Sequence, residues 1–564
     1  MKKFLSLVLS VLMLMSVFSV SVWAQDEELV ITVVNDLHYN LTYTKKATKA
    51  NSINADFAHI GNSSRLPHEA IAIIEGFLSE AAENESQAVI IPGDITDGGK
   101  ENEVEGIVEL FSKFEAETGK QIYVVPGNHD YYNLKVTPEK FKSDYFEFGY
   151  DEAIAIDDDT ASYVVDLSDE YRLIAIDSCV PGEGRHGIDS SRLEWIKAQG
   201  EKAKADGKKL IGMHHQNLLE HMIFSGVIQP GGVVTAKDTA AAEVYAKAGI
   251  KYVFTGHTHD HDIASYTAAD GTVIYDAVTG SLNGCYAPYR VVTFGDSVKF
   301  ETRGVQKIDT SLLPEGISAN AVALAESNFP EYTKIATDLS YRLVFNQYTT
   351  AKGLKGVLKL EDEEMNAIID KVGNRLNEAL NMPLYKENET EEGKSIEAIV
   401  EKYQTFLPKT EYKDMIDLAV TIYQAHNIGD ESFPAYSDEV IILTRGLAAV
   451  LSYALAEVSA EEYATVLNFV VDLLGVDIPV NFTSYTGSAV KRFEGAEILV
   501  TTVALPLVAD FTTDPAPGDC NVTLPGYTEL VEEEPSFLEK IIAFFRMLLD
   551  TVRTMFAFVP SWNK

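Results

Sequence analysis

The sequence predicts an α/β fold, a sheet flanked by helices, followed by a mostly α-helical C-terminal domain and an amphipathic tail helix. Three observations carry this. Up to about residue 306, short β-branched runs alternate with segments of helical period, the pattern of a parallel sheet covered by helices. Those runs stop at clusters of polar, ligand-type side chains. Beyond that point the helical period continues and no such cluster recurs.

Taken in order, Leu29 to Val34 reads as a strand that ends in Asn35-Asp36-Leu37-His38, followed by a polar loop over 39–66. Residues 67–83 place Ala70, Ile71, Ile74, Phe77, Leu78 and Ala81 on one helical stripe. The strand Ala88-Val89-Ile90-Ile91 runs into Pro92-Gly93-Asp94-Ile95-Thr96-Asp97-Gly98-Gly99. A helix over 101–118, carrying Val104, Ile107, Val108, Leu110, Phe111 and Phe114, leads to Tyr123-Val124-Val125 and then Pro126-Gly127-Asn128-His129-Asp130. Further strands end at Asp177-Ser178, at His214-His215, at Gly256-His257-Thr258-His259 and at Thr279-Gly280-Ser281. Open α/β sheets place their ligands at such carboxyl ends of strands.

The remaining segments divide by composition. Lys2-Lys3, an apolar run and Val22-Trp23-Ala24 give residues 1–24 the form of a secretory signal cleaved after Ala24, with an uncleaved anchor as the alternative. The α/β unit is assigned to 25–306 and a separate helical domain to 307–510. Within the latter, His426, Asp430 and Glu431 could bind a cation, but read better as a solvated interhelical turn. Pro, Gly, Asp and Glu mark 511–535 as a linker. Over 536–560, Leu538, Ile541, Phe545, Leu548, Val552 and Met555 form an apolar stripe. Lys540, Arg546, Asp550 and Arg553 interrupt it, so this helix docks on its own chain or a sister chain, or lies on a membrane surface, and does not cross one.

Composition narrows the function. In 564 residues, Lys plus Arg number 46 against 85 Asp plus Glu, a net charge of −39 that repels nucleic-acid and anionic-lipid backbones. A nuclease is therefore disfavoured. Only three cysteines, Cys179, Cys285 and Cys520, are present, which excludes a disulfide-built scaffold and cysteine-based zinc modules. Cys179 and Cys285 could pair, although two unrelated buried thiols is the better reading.

Gathered from the strand ends, Asp36, His38, Asp94, Asn128, His214 or His215, His257 and His259 are more donors than one metal needs. They suit two ions with a bridging carboxylate. In this order, Asp36-x-His38, Gly93-Asp94-x-x-Asp97, Gly127-Asn128-His129-Asp130, His214-His215 and Gly256-His257-x-His259 resemble the calcineurin-like metallophosphoesterase superfamily, over roughly residues 29–304. The resemblance implies a β-sandwich flanked by helices with a dinuclear centre at its rim. It assigns Asp36, His38 and His259 to a first metal, Asn128, His214 and His257 to a second, and Asp94 to the bridge. His214 is preferred over His215 because the family's ligand stands two residues before a proline, where this chain has Gln216. The metals implied are two divalent ions among manganese, iron, zinc and cobalt, and the donors do not choose between them.

Such a pair of cations suits hydrolysis of a phosphoester, an anion that needs charge neutralisation and hydroxide at neutral pH. His129 is then left to stabilise the transition state and protonate the leaving oxygen. Asp97 resembles the acidic partner that orients this histidine in part of the family, the plainer reading being a turn carboxylate. His215, His221 and His261 read as packed or surface histidines. The purple acid phosphatase branch has a tyrosine at the spacing of Asp97, and serine/threonine protein phosphatases an arginine after it; this chain has neither. It looks more like the cyclic-nucleotide and glycerophosphodiester phosphodiesterase branch. The expectation is an exported phosphoesterase acting on small esters, diesters before monoesters, with a nucleotidase or a non-catalytic surface binding protein on the same fold as alternatives.

Overall fold

The computed structural model describes residues 28–180, 185–221, 240–429, 433–434, 437–474, 480–512 and 519–527. The expected signal segment, the tail helix, Asp430 and Glu431 lie outside the described residues.

Along the chain run β1 (Leu29–Val33), α1 (Ala70–Glu83), β2 (Ala88–Ile91), α2 (Glu101–Thr118), β3 (Gln121–Val124) and α3 (Pro138–Asp144). Next come β4 (Ala155–Ile156), β5 (Tyr163–Asp166), β6 (Tyr171–Ala175), β7 (Cys179–Val180), β8 (Arg185–His186), α4 (Ser190–Ala205), β9 (Lys209–Met213) and α5 (Ala240–Ala248). The strands β10 (Ile250–Thr255), β11 (Asp262–Thr267), β12 (Val273–Val278), β13 (Pro288–Phe294) and β14 (Ser297–Gly304) complete this half. The helical half follows as α6 (Ala319–Ser327), α7 (Phe329–Tyr348), α8 (Ala351–Leu358), α9 (Glu363–Leu380), α10 (Ile396–Lys402), α11 (Met415–Ile428), α12 (Asp438–Ala454), α13 (Ala460–Leu474) and α14 (Ala489–Thr512). A last strand, β15, spans Asn521–Pro525.

Two sheets stack face to face. One has six strands in the order β15-β14-β13-β1-β2-β3, the other seven in the order β11-β12-β10-β9-β6-β5-β4. Within the first, β1, β2 and β3 are parallel; within the second, β12, β10, β9 and β6 are parallel. Tyr171, Tyr252, Phe254, Phe294 and Phe300 fill the space between the sheets as part of one large core, and rings such as Tyr252 and Tyr275 stack across neighbouring strands at 5.2 Å. A second apolar cluster, with Ile196 of α4 and Tyr245 of α5, covers the outer face of the second sheet. The β-sandwich flanked by helices and the largely helical C-terminal region expected from the sequence are both present. Because the parallel strands run the same way, their carboxyl ends open onto one rim.

Two boundaries differ from expectation. The stretch read as a linker contains β15, which pairs antiparallel with β14 from Ser297↔Pro525 to Glu301↔Asn521. Tyr527, just beyond it, donates a hydrogen bond to the Leu210 carbonyl at 2.8 Å. A strand this short amid acidic and turn-forming residues has too little periodicity to stand out. Similarly, the helical half is not wholly separate: Ala321, Ala325, Phe329, Tyr332, Ala336 and Leu339 of α6 and α7 belong to the sandwich core, whereas α9 to α12 build their own. Tyr332 also donates to the buried Glu69 carboxylate, which His59 meets at 2.9 Å. Among the described residues no helix is long and apolar enough to cross a membrane, and the cysteines form no disulfide, Cys179 and Cys285 being separately buried.

Candidate metal centre

At the rim the backbone itself is unusual. Asp36, His38, Asp94, His257 and His259 have φ of 52°, 44°, 48°, 71° and 65°, and among the described residues they make up more than half of the non-glycine residues with positive φ. Left-handed backbone costs such residues roughly 1–3 kcal/mol each and persists where the surroundings impose it, typically at functional sites. Here each strand end turns sharply to aim a donor inward. The turns interlock: the His38 N–H donates to the Asp94 carbonyl at 2.9 Å, and the His257 N–H donates to Asp36 Oδ2 at 3.0 Å. Gly256 has no room for a side chain, because a Cβ there would stand 2.6 Å from Asp36 Oδ2.

The side chains converge in adjoining groups. His38 Nε2 lies 3.4 Å from His259 Nε2, and Asp36 Oδ1 lies 3.5 Å from His259 Nε2 and 3.8 Å from His38 Nε2. Across Asp94, His215 Nε2 lies 3.2 Å from Asp94 Oδ1 and 3.1 Å from Asn128 Oδ1, with His257 in the same group. Donors held at about 2.1 Å around one ion stand about 3.0–3.5 Å apart, and four of these five separations fall in that range, the Asp36–His38 pair being slightly wider at 3.8 Å. Asp36 Oδ1 is buried without a hydrogen-bond partner, an arrangement that a cation would satisfy. The donors are carboxylate, imidazole and amide with no thiolate, a set that fits borderline or hard divalent ions.

Asp94 faces both groups. Its Oδ1 accepts from the His129 N–H at 2.8 Å beside His215, while its Oδ2 is 3.8 Å from His38 Nε2. Burial pushes its pKa up, but His215, His129 and His38 outweigh burial and hold the carboxyl well below the usual carboxylate range. Burial lowers the pKa of His38 well below that of a free imidazole, with the Arg65 charge adding to it. The ring is thereby kept neutral, as a metal ligand must be.

The structure corrects one residue of the expected set: His215, not His214, reaches the cluster. Strand parity is the reason. Ile211 and Met213 of β9 face the space between the sheets, while Leu210 faces the outer helices. Counting on by twos, His215 points to the rim and His214 to the helix side, where its ring lies 5.8 Å from that of Tyr245. Burial lowers the His214 pKa to about 4. His215 Nδ1 is 2.8 Å from the Pro92 carbonyl, which accepts the Nδ1 hydrogen bond and turns Nε2 to the cluster. Burial lowers its pKa, but Asp94 and Asp36 outweigh burial and raise it to about 9, so a cation binding at Nε2 would displace a proton.

Asp97 meets His129 mainly through its backbone: its carbonyl is 2.8 Å from His129 Nδ1, while the carboxylate Oδ1 accepts from Arg65 Nη1 at 2.8 Å and stands 3.8 Å from the same Nδ1. His129 Nε2 then faces the centre, 3.9 Å from Asp94 Oδ2, with the Tyr132 ring 4.3 Å away. Tyr132 also receives the Asn128 Nδ2 hydrogen bond at 3.0 Å, which turns Asn128 Oδ1 inward. Asp130 accepts from the backbone N–H groups of Gly127, Ile95 and Thr96 at 2.9, 3.2 and 2.9 Å and so ties the turns after β2 and β3 together. Arg65 was missed in the sequence because it sits in a loop without periodicity. His426, expected in a solvated turn, is buried instead, 3.1 Å from Asp260 Oδ1.

Comparison with known sequences decides what this rim is, since residues 29–261 match the Calcineurin-like phosphoesterase family. This stretch is a calcineurin-like phosphoesterase domain. Curated relatives of the phosphoesterase domain include a probable glycerophosphodiester phosphodiesterase of Arcobacter nitrofigilis, 33% identical over 138 residues, covering 24% of this chain and 44% of the relative. A cAMP/cGMP dual specificity phosphodiesterase of Mycobacterium tuberculosis is 25% identical over 173 residues, covering 30% of this chain and 48% of the relative. The chain thus spans about half the length of these relatives. Among solved structures, a dimetal phosphatase from Danio rerio aligns at 12% identity and a TM-score of 0.36, covering 49% of this chain and 96% of that one.

Proposed function

We propose that the protein is an exported, metal-dependent phosphoesterase that hydrolyses small phosphodiesters in preference to monoesters. The observation that carries the metal dependence is Asp94, whose two oxygens face two separate groups of donors. Asp36, His38 and His259 would hold one divalent cation, Asn128, His215 and His257 the other, and Asp94 both. When bound, the cations neutralise phosphate oxygens and make hydroxide available as nucleophile near neutral pH.

The chain's own residues do the rest. His129, fixed at Nδ1 by the Asp97 carbonyl, presents Nε2 to the leaving oxygen and, as imidazolium, gives it a proton. Arg65, steadied by the Asp97 carboxylate, adds a guanidinium beside the centre to take a non-bridging phosphate oxygen. A positive rim of this kind lets a chain with a charge of −39 bind an anionic ester. The diester preference is supported by the relatives named as phosphodiesterases, and export by the signal-like residues 1–24. With Mn2+ present, bis(4-nitrophenyl) phosphate should be turned over with higher kcat/KM than 4-nitrophenyl phosphate. The reverse order would overturn the diester preference, and no turnover of either with Mn2+, Zn2+ or Co2+ would overturn the enzyme.

A further inference from the structure

We propose that the C-terminal turn of α11 positions the loop that carries His257 and His259, with Asn427 as the positioning residue, so that the helical half sets the affinity of one of the metal sites; this rests on the metal-site reading above. The loop is strained, with φ of 71° at His257 and 65° at His259, and its two halves are held from different sides. The sandwich holds the first half, through the His257 N–H to Asp36 Oδ2 bond of 3.0 Å.

The helical half holds the second. Asn427 Nδ2 donates to the His259 carbonyl at 3.2 Å, the His261 N–H donates to the His426 carbonyl at 3.3 Å, and His426 Nε2 lies 3.1 Å from Asp260 Oδ1. Asn427 is itself pinned, because Tyr341 of α7 donates to its Oδ1 at 2.9 Å. The helix ends at Gly429 with φ of 67°, and a Cβ there would stand 2.6 Å from the His261 carbonyl oxygen, so helix end and loop are in close backbone contact. Partners of this kind orient metal ligands and commonly govern metal affinity by about 10- to 100-fold. His259 belongs to the group with Asp36 and His38, whereas His257 belongs to the group with Asp94 and His215. Loosening the His259 side should therefore weaken the first site and spare the second.

Mn2+ titration of the metal-free full chain tests this, comparing wild type with Asn427→Asp, which keeps the size and the acceptor for Tyr341 but loses the donor to His259. The expected result is two Mn2+ per wild-type chain and, in the variant, one site about tenfold weaker or worse with the other unchanged, at a melting temperature close to wild type. Should Asn427→Asp fail to fold, Tyr341→Phe decides, with a smaller weakening of the same site. Wild-type affinity at both sites in the folded variant, or equal weakening of both, overturns the positioning role. A wild-type chain that binds no Mn2+ overturns the metal-site reading instead, and the inference with it.

Discussion

In the proposed centre Asp94 would serve two cations, because its carboxylate lies across the rim with Oδ1 toward His215 and Oδ2 toward His38. Around it, single residues differ in what they can contribute. His215 is locked by the Pro92 carbonyl into the orientation that exposes Nε2, whereas the neighbouring His214 lies on the far face of the sheet against Tyr245. His215→Ala should therefore lower metal content and turnover together, while His214→Ala should keep its metal and lose stability, as any buried ring does on truncation. Metal analysis of the two purified variants checks this, and loss of metal from His214→Ala alone would reverse the assignment. The residues that gather at the rim were legible, since Asp36, His38, Asp94, Asn128, His257 and His259 each follow an apolar strand. Choosing between adjacent histidines was not, because the family spacing pointed to His214 and only the parity of β9 points to His215. The contact of Asp97 with Arg65 was not legible for a related reason: Arg65 lies 32 residues away in an irregular loop.

At the scale of elements, a strand delivers a donor only if its last turn is rigid, and buried polar networks supply that rigidity. Behind the rim, Asp276 of β12 accepts from the Thr255 hydroxyl at 2.8 Å and from the Leu218 and Leu219 N–H groups at 2.7 and 2.8 Å. His221 completes the network, with Nδ1 2.7 Å from Asp262 Oδ2 and Nε2 3.1 Å from Asp276 Oδ2. Burial alone would lower its pKa, but Asp276 and Asp262 outweigh burial and raise it to about 10. The folded value stands above the unfolded value of about 6.5, so this stabilisation is fully present below about pH 6.5 and is lost as the pH rises through about 10. The melting temperature of His221→Gln should fall furthest below wild type near pH 6, with the gap closing toward pH 10. A gap that does not change with pH would mean that the ring is uncharged in the fold. Sequence patterning found β1, β2, β3, β6, β9, β10 and β12 because buried parallel strands are continuous apolar runs. It passed over β15, whose five residues pair only because β14 offers an open edge.

For the whole molecule, the sandwich and the helical half share more than a linker. The first helices join the sandwich core, β15 returns from the far end of the helical half to the first sheet, and the end of α11 meets the loop of His257 and His259. The change of texture after residue 306 correctly marked a change of secondary structure but not of core, because long-range pairs such as His426 with Asp260 leave no local signature. Against a net charge of −39, the proposed cations would make the rim a place where an anionic ester can settle. The proposed function thus depends on a two-cation centre that Asp94 would bridge. Metal content and hydrolysis of bis(4-nitrophenyl) phosphate, measured together on Mn2+-loaded wild type and Asp94→Asn, test that dependence most directly. Two Mn2+ per chain with turnover in the wild type, and loss of both metal and turnover in the variant, is the expected result; an Asp94→Asn protein that keeps two ions and full turnover would contradict it.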